Sequence, residues 1–173
     1  MSAAATFAFS LADENDTARL MADLALLLAP GDTVTLSGDL GAGKTTAARA
    51  LIRHLAGDDA LEVPSPTFTL VQAYDLPSFA LLHGDLYRIA DAAELDEIGL
   101  SPWPEDIVTL IEWPERAAAA LPADRLDVAL SHDAGTGDSA RIATVTGFGT
   151  AAATAARLAA LRHFLDAARL GAA

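Results

Sequence analysis

The sequence predicts an α/β fold in a single domain: a central mixed, largely parallel sheet flanked by helices and completed by a late β-hairpin. Three observations carry that prediction. Short β-branched or apolar runs alternate with stretches of helical apolar spacing, the pattern of strands covered by helices. One run, residues 33–36, leads through a glycine-rich turn straight into an amphipathic segment. Another, "DIVTLIE", is apolar over a strand's length and closes on an acid, which suits a parallel strand buried on both faces.

In chain order, residues 7–11 read as a first strand. "DENDTARLMADLALLLAPGD" then sets Leu20, Leu24, Leu27 and Leu28 at helical spacing, with acids and Thr17 before them and Pro30-Gly31 as a stop. Residues 33–36 form a strand, and Ala48, Leu51, Ile52 and Leu55 make one stripe of the helix that Gly57 ends. "VPSPTFTLVQAYD" opens as a proline-punctuated loop and is expected to become a strand from about Phe68. "SFALLHGDLYR" supplies another strand, ending near Asp85. Asp91 and Glu94 have capping-box spacing at the head of a short helix. After the buried strand of "DIVTLIEWPE", "RLDVALSHD" and "ARIATVTGF" pair as a hairpin around Gly135 and Gly137. Leu158, Leu161 and Leu165 share a face, so residues 150–173 read as a C-terminal helix appended to one domain spanning 1–173.

Composition narrows the function. The 173 residues are 52 % hydrophobic and 20 % charged, as in a globular chain with a substantial core. The net charge is −13 and the sequence shows no Lys/Arg cluster, so the isolated chain is not expected to bind nucleic acid directly. Absence of cysteine excludes disulfides, thiolate metal sites and cysteine nucleophiles. The first residues lack the basic start of a signal peptide, and no apolar run approaches the ~18 residues that cross a bilayer. No membrane association and a cytoplasmic location are expected.

Lys44 is the only lysine beside ten arginines, and it lies between Gly43 and Thr45. The stretch from Gly38 to Thr45, "GDLGAGKT", satisfies the phosphate-loop pattern G-x-x-x-x-G-K-[ST], with a strand before it and a helix after it. Such a loop wraps an anion with backbone N–H groups, and the helix behind it adds its positive dipole end. A compact ammonium fits over a phosphate chain where a planar guanidinium does not. Leu40, Gly41, Ala42, Gly43, Lys44, Thr45 and Thr46 are therefore expected to bind ATP, with the Thr45 hydroxyl ligating Mg2+. GTP is disfavoured, because the guanine-reading N/T-K-x-D pattern needs a second lysine.

Two acids close apolar runs on the expected phosphate side, Asp85 after "FALLHG" and Glu112 after "IVTLI". Such acids hold Mg2+ or position the attacking water, and pattern alone does not divide those roles. Glu112 ends the longer apolar run and is the better metal candidate. Ser65 and Thr67 in "PSPT" fall where phosphate-loop proteins place a nucleotide-sensing switch, though a plain turn reads equally well. Trp113 follows Glu112, and its plain reading is a core position. His83 reads as structural, since no other histidine stands at metal-binding spacing.

The four blocks "GDLGAGKTT", "SPTFTLV", "HGDLYR" and "EWPER", in this order, resemble the TsaE family, over residues 11–145. The resemblance implies a small ATPase that supports synthesis of threonylcarbamoyladenosine in tRNA and docks on a TsaD–TsaB pair. It implies Thr45 and Glu112 as Mg2+ ligands, and Asp85 and Trp113 as residues needed for activity alongside Glu112. It also implies nucleotide contacts from Asp13 at the head of the first helix and from Gly137 in the late hairpin. The family usually has an aromatic at Gly84, so packing behind Asp85 is expected to differ. Two other readings use the same loop: a small-molecule kinase, and a nucleotide-dependent interaction switch without hydrolysis.

Overall fold

The computed structural model describes residues 4–133, 135 and 137–171. In chain order these form β1 (Ala4–Leu11), α1 (Glu14–Ala25), β2 (Thr33–Ser37), α2 (Lys44–Ala56), β3 (Val71–Asp75), β4 (Ala80–Asp85), α3 (Glu94–Glu97), β5 (Val108–Glu112), a 3-10 segment (Pro114–Ala120), β6 (Arg125–His132), β7 (Arg141–Phe148) and α4 (Ala151–Gly171). Seven strands make one sheet in the order β1-β7-β6-β2-β5-β4-β3. The pairs β6–β2, β2–β5 and β5–β4 are parallel, while β1–β7, β7–β6 and β4–β3 are antiparallel. The expected mixed α/β sheet with flanking helices and a late hairpin forms, with parallel pairing in its centre and antiparallel pairing toward both edges.

Apolar alternation along the strands builds two cores. Val34, Leu36, Leu81, Leu110, Val128 and Val145 belong to the larger, which Leu20, Met21 and Leu24 of α1, Leu51 and Ile52 of α2, and Leu158 of α4 complete. At about 1.5–3 kcal/mol per fully buried aliphatic side chain, this cluster dominates the favourable side of folding. Ile111 faces the other way, into a smaller core with Leu86, Leu95 and Leu100. A Cβ placed on Gly84 would stand 2.9 Å from Ile111 Cδ1 and 3.3 Å from Leu100 Cδ1. Those two side chains occupy the ground an aromatic would need behind Asp85.

Local chemistry sets the ends. Asp13 caps α1 by accepting the Asp16 N–H at 3.0 Å. The helix stops at Ala25, so Leu27 and Leu28 fall in the turn beyond it, with Leu28 still buried. In the α3 region half of the expected capping box forms: the Glu94 carboxylate accepts the Asp91 N–H at 2.9 Å, but the Asp91 carboxylate takes the Ala93 N–H at 3.0 Å and the Glu94 N–H goes to the Asp91 backbone carbonyl. One expectation fails: the strand forecast from Phe68 starts at Val71. Residues 67–70 turn instead, the Leu70 N–H donating to the Pro66 carbonyl at 2.6 Å, and Phe68 is left exposed. The last two residues of the tail helix expected over 150–173 lie outside the described residues.

Candidate functional site

Register brings the acids together. Leu36 of β2 pairs with Glu112 of β5, and Glu112 pairs with Asp85 of β4, so three neighbouring parallel strands end side by side. The carboxyl ends of parallel strands are where open α/β sheets leave a crevice for ligands. The glycine loop leaves β2 at this edge and enters α2 at Lys44. A cavity of about 370 Å³ opens here, walled by Leu40, Gly41, Gly43, Lys44, Thr45 and Thr46 on one side and by Ser65, Thr67, Asp85, Tyr87, Glu112 and Trp113 on the other.

The loop's shape follows from its glycines. A Cβ at Gly38 would collide with the Leu130 carbonyl oxygen, and Gly43 opens α2 at φ 105° without a side-chain cap. The first N–H groups of α2 are thus left for a ligand rather than for a capping oxygen. From outside, Arg141 of β7 braces the loop, its Nε donating to the Ala42 carbonyl at 3.2 Å. The same guanidinium donates to the carbonyls of Asp138 at 2.7 Å and Ala140 at 3.0 Å.

Lys44 is almost fully buried. Its Nζ donates to the carbonyls of Gly38 at 2.6 Å and Asp39 at 2.9 Å, and lies 3.6 Å from the centre of the Trp113 ring. Burial pulls its pKa below the ordinary lysine value; the charges of Glu112, Glu115, Asp85 and Asp39 oppose that pull. Trp113 takes the left-handed backbone conformation, φ 59°, and its N–H donates to Leu36 at 3.2 Å. That uncommon geometry turns the indole over the loop. Tyr87 tilts against it with ring centroids 4.9 Å apart.

The two acids have different surroundings. Glu112 accepts the Thr45 hydroxyl on Oε2 at 2.8 Å, and its Oε1 lies 2.9 Å from His83 Nε2. Asp85 accepts Thr67 at 2.8 Å and Ser65 at 3.2 Å on Oδ2, and the Tyr87 N–H at 2.9 Å on Oδ1. These hydroxyl contacts tie the loop before β3 to the end of β4. Among the described residues no group of three His, Cys, Asp or Glu could hold a metal by itself. One carboxylate beside one hydroxyl suits Mg2+, which takes few protein oxygens and completes its shell with phosphate and water.

The sequence-selected residues divide in two. Leu40, Gly41, Gly43, Lys44, Thr45, Thr46, Asp85, Glu112 and Trp113 share the cavity, as do Ser65 and Thr67. Ala42, Asp13 and Gly137 do not line it. Ala42 is buried and faces a smaller cavity of about 120 Å³, shared with Glu14, Thr17, Gly41, Gly43, Thr46, Ser139 and Arg141. Asp13 caps α1, and the carbonyl of Gly137 accepts the Ala140 N–H at 3.2 Å. Only their chain neighbours, such as Glu14 and Ser139, reach that second cavity. Tyr87 and Arg141 were missed. Tyr87 stands two residues beyond Asp85, where the "DLYR" block held the only signal for it; Arg141 opens a late strand with nothing local to mark it.

Residues 11–141 match the family described as threonylcarbamoyl adenosine biosynthesis protein TsaE. A Rickettsia bellii protein named tRNA threonylcarbamoyladenosine biosynthesis protein TsaE is 38 % identical over 120 residues, 69 % of this chain and 83 % of that protein. A Streptomyces coelicolor protein of the same name is 41 % identical over 138 residues, 76 % of this chain and 90 % of that one. The crystal structure of Bacillus subtilis YdiB superposes with a TM-score of 0.72 at 29 % identity, covering 94 % of this chain and 97 % of that one.

Proposed function

This chain belongs to the TsaE family of tRNA threonylcarbamoyladenosine biosynthesis proteins, and from that premise we propose that it binds and hydrolyses ATP with Mg2+ as an accessory subunit beside TsaD and TsaB. The observation that carries this reading is a single cluster: the lone lysine, the uncapped start of α2, and the Thr45–Glu112 pair 2.8 Å apart. Together they offer a cation, a row of N–H donors and two hard oxygens to a polyphosphate.

In the proposed cycle the phosphates sit on the loop N–H groups, and Lys44 moves from the Gly38 and Asp39 carbonyls onto the phosphate oxygens. Thr45 and Glu112 would hold Mg2+, whose charge offsets that of the phosphate oxygens. Asp85 is the proposed group that orients water. Its Oδ2, shared by two loop hydroxyls, makes the Ser65–Thr67 loop responsive to whatever binds at that carboxylate. Trp113 and Tyr87 wall the site and limit water at its back. Asp13 and Gly137 would reach nucleotide only through a shift of their segments toward the smaller cavity. No described helix is long and apolar enough to cross a membrane, and the cytoplasm is the compartment this reading implies. With a net charge of −13, the chain would leave tRNA contact to its partners.

The test is phosphate release from Mg-ATP by wild type, Lys44→Ala and Glu112→Ala, with and without the TsaD–TsaB pair. Partner-stimulated release lost in both variants is expected. Binding of ATP without release under any condition would replace hydrolysis with a binding switch, and transfer of the phosphoryl group to a metabolite would make the chain a kinase.

A further inference from the structure

His83 lies on β4 two residues before Asp85 and is completely buried. Parallel register sets it beside Leu110, so that its ring reaches forward to Glu112, the last residue of β5. Among the described residues the 2.9 Å approach of Nε2 to Glu112 Oε1 is the only hydrogen bond of the ring. Its other nitrogen, Nδ1, is buried without a partner among the described residues. A carboxylate oxygen accepts, so Nε2 is the nitrogen that donates to Glu112. A buried polar atom left unsatisfied is a cost that an apolar side chain at position 83 would not carry. Fold stability alone therefore does not account for an imidazole here.

We propose that His83 is the positioning residue of Glu112, fixing one carboxylate oxygen from behind so that the other stays aimed at Thr45 and the bound Mg2+. The inference rests on the metal reading of Thr45 and Glu112 given above. His83 is not among the residues walling the cavity, so it touches neither nucleotide nor metal. With Oε1 held by His83 and Oε2 by Thr45, the plane of the Glu112 carboxylate is set from both sides. When the Thr45 hydroxyl turns toward a cation, only the His83 bond still orients that plane. Partners that orient a metal-binding side chain in this way commonly carry about 10- to 100-fold in metal affinity.

The experiment is isothermal titration calorimetry of ADP into the full chain, once with Mg2+ and once with EDTA, for wild type, His83→Gln and His83→Asn. The Gln amide can reach the place of Nε2 and donate to Glu112; the Asn amide sits at the place of Nδ1 and falls short. The Asn variant is expected to lose about 10-fold of the tightening that Mg2+ gives, with its EDTA affinity unchanged. The Gln variant is expected to retain the wild-type response. Circular dichroism establishes folding, and if the Asn variant does not fold, His83→Leu carries the same expectation. A folded Asn or Leu variant with the wild-type Mg2+ response overturns the positioning role, because a purely structural histidine would change the melting temperature and not the metal response. A wild type whose ADP affinity ignores Mg2+ would instead sink the metal reading of Thr45 and Glu112, and the positioning role with it.

Discussion

Lys44 and Asp13 show how much a single residue's surroundings decide. Removing the ammonium with Lys44→Ala deletes a charge-assisted contact of about 1.5–3 kcal/mol, so ATP affinity should fall roughly 10- to 150-fold in equilibrium binding. Unchanged affinity in a folded variant would refute the phosphate assignment. Asp13 acts differently, because the Asp16 N–H at its carboxylate holds its pKa below the ordinary 3.8. A carboxyl with a depressed folded-state pKa stabilises most above its unfolded value, and loses that contribution as pH falls through the folded one. Asp13→Ala should therefore lower the melting temperature at neutral pH, and the gap to wild type should close below about pH 3.8. A gap that persists in acid would mean that the capping bond is not its source. The loop residues and Lys44 were legible because a phosphate loop is contiguous. Arg141 was not, because its partner carbonyl on Ala42 is 99 residues away in sequence.

Between elements, the tail helix offers the clearest case. α4 packs on β1 and β7 and reaches α1 through Arg162, whose Nη1 donates to Asp23 at 3.0 Å. Arg162 is buried, and its Nε has no partner among the described residues. Removing only the acid leaves a buried guanidinium uncompensated, whereas removing the arginine takes the unsatisfied donor with it. Urea denaturation should show Asp23→Ala costing about 1–3 kcal/mol and Arg162→Leu distinctly less. The reverse order would place the stabilisation in arginine packing instead. Helices and buried strands were legible at this scale because each has a period of its own. The start of β3 was not: "TFTLVQAYD" has strand-like residues throughout, and the turn ends at Leu70, in the left-handed region at φ 65° with its carbonyl accepting the distant Asp85 N–H at 2.9 Å.

Across the molecule, α/β alternation announced the fold class, but strand order depends on pairings that join distant segments. β2 finds β5 on one side and β6 on the other, and no local pattern specifies that choice. Those pairings carry Asp85 and Glu112 to the loop, so the candidate site was recognisable as separate blocks before it could be seen as one cavity. Ligand binding should accordingly stabilise the whole sheet. At 100 times its dissociation constant a ligand adds about 2.7 kcal/mol, which in a chain of this size raises the melting temperature by about 5–10 °C. At the same ligand concentration Mg-ADP should produce that shift in wild type and, if its affinity falls as ATP's does, only about a half to a tenth of it in Lys44→Ala. An equal shift in both would locate the binding elsewhere.

The placement of the two tryptophans gives this chain an optical property. Both tryptophans pack against the smaller core, but Trp103, its indole N–H held by the Ala120 carbonyl at 2.7 Å, does not line the phosphate-loop cavity. Trp113 has an ammonium against its face and a tilted phenol ring with its centroid 4.9 Å away. Near-ultraviolet emission is sensitive to a charge so close to an indole, so any displacement of Lys44 changes the light from Trp113 while Trp103 supplies a steady background. Trp103→Phe would remove that background and leave one intrinsic lamp whose brightness follows the position of the single lysine in real time, without a dye.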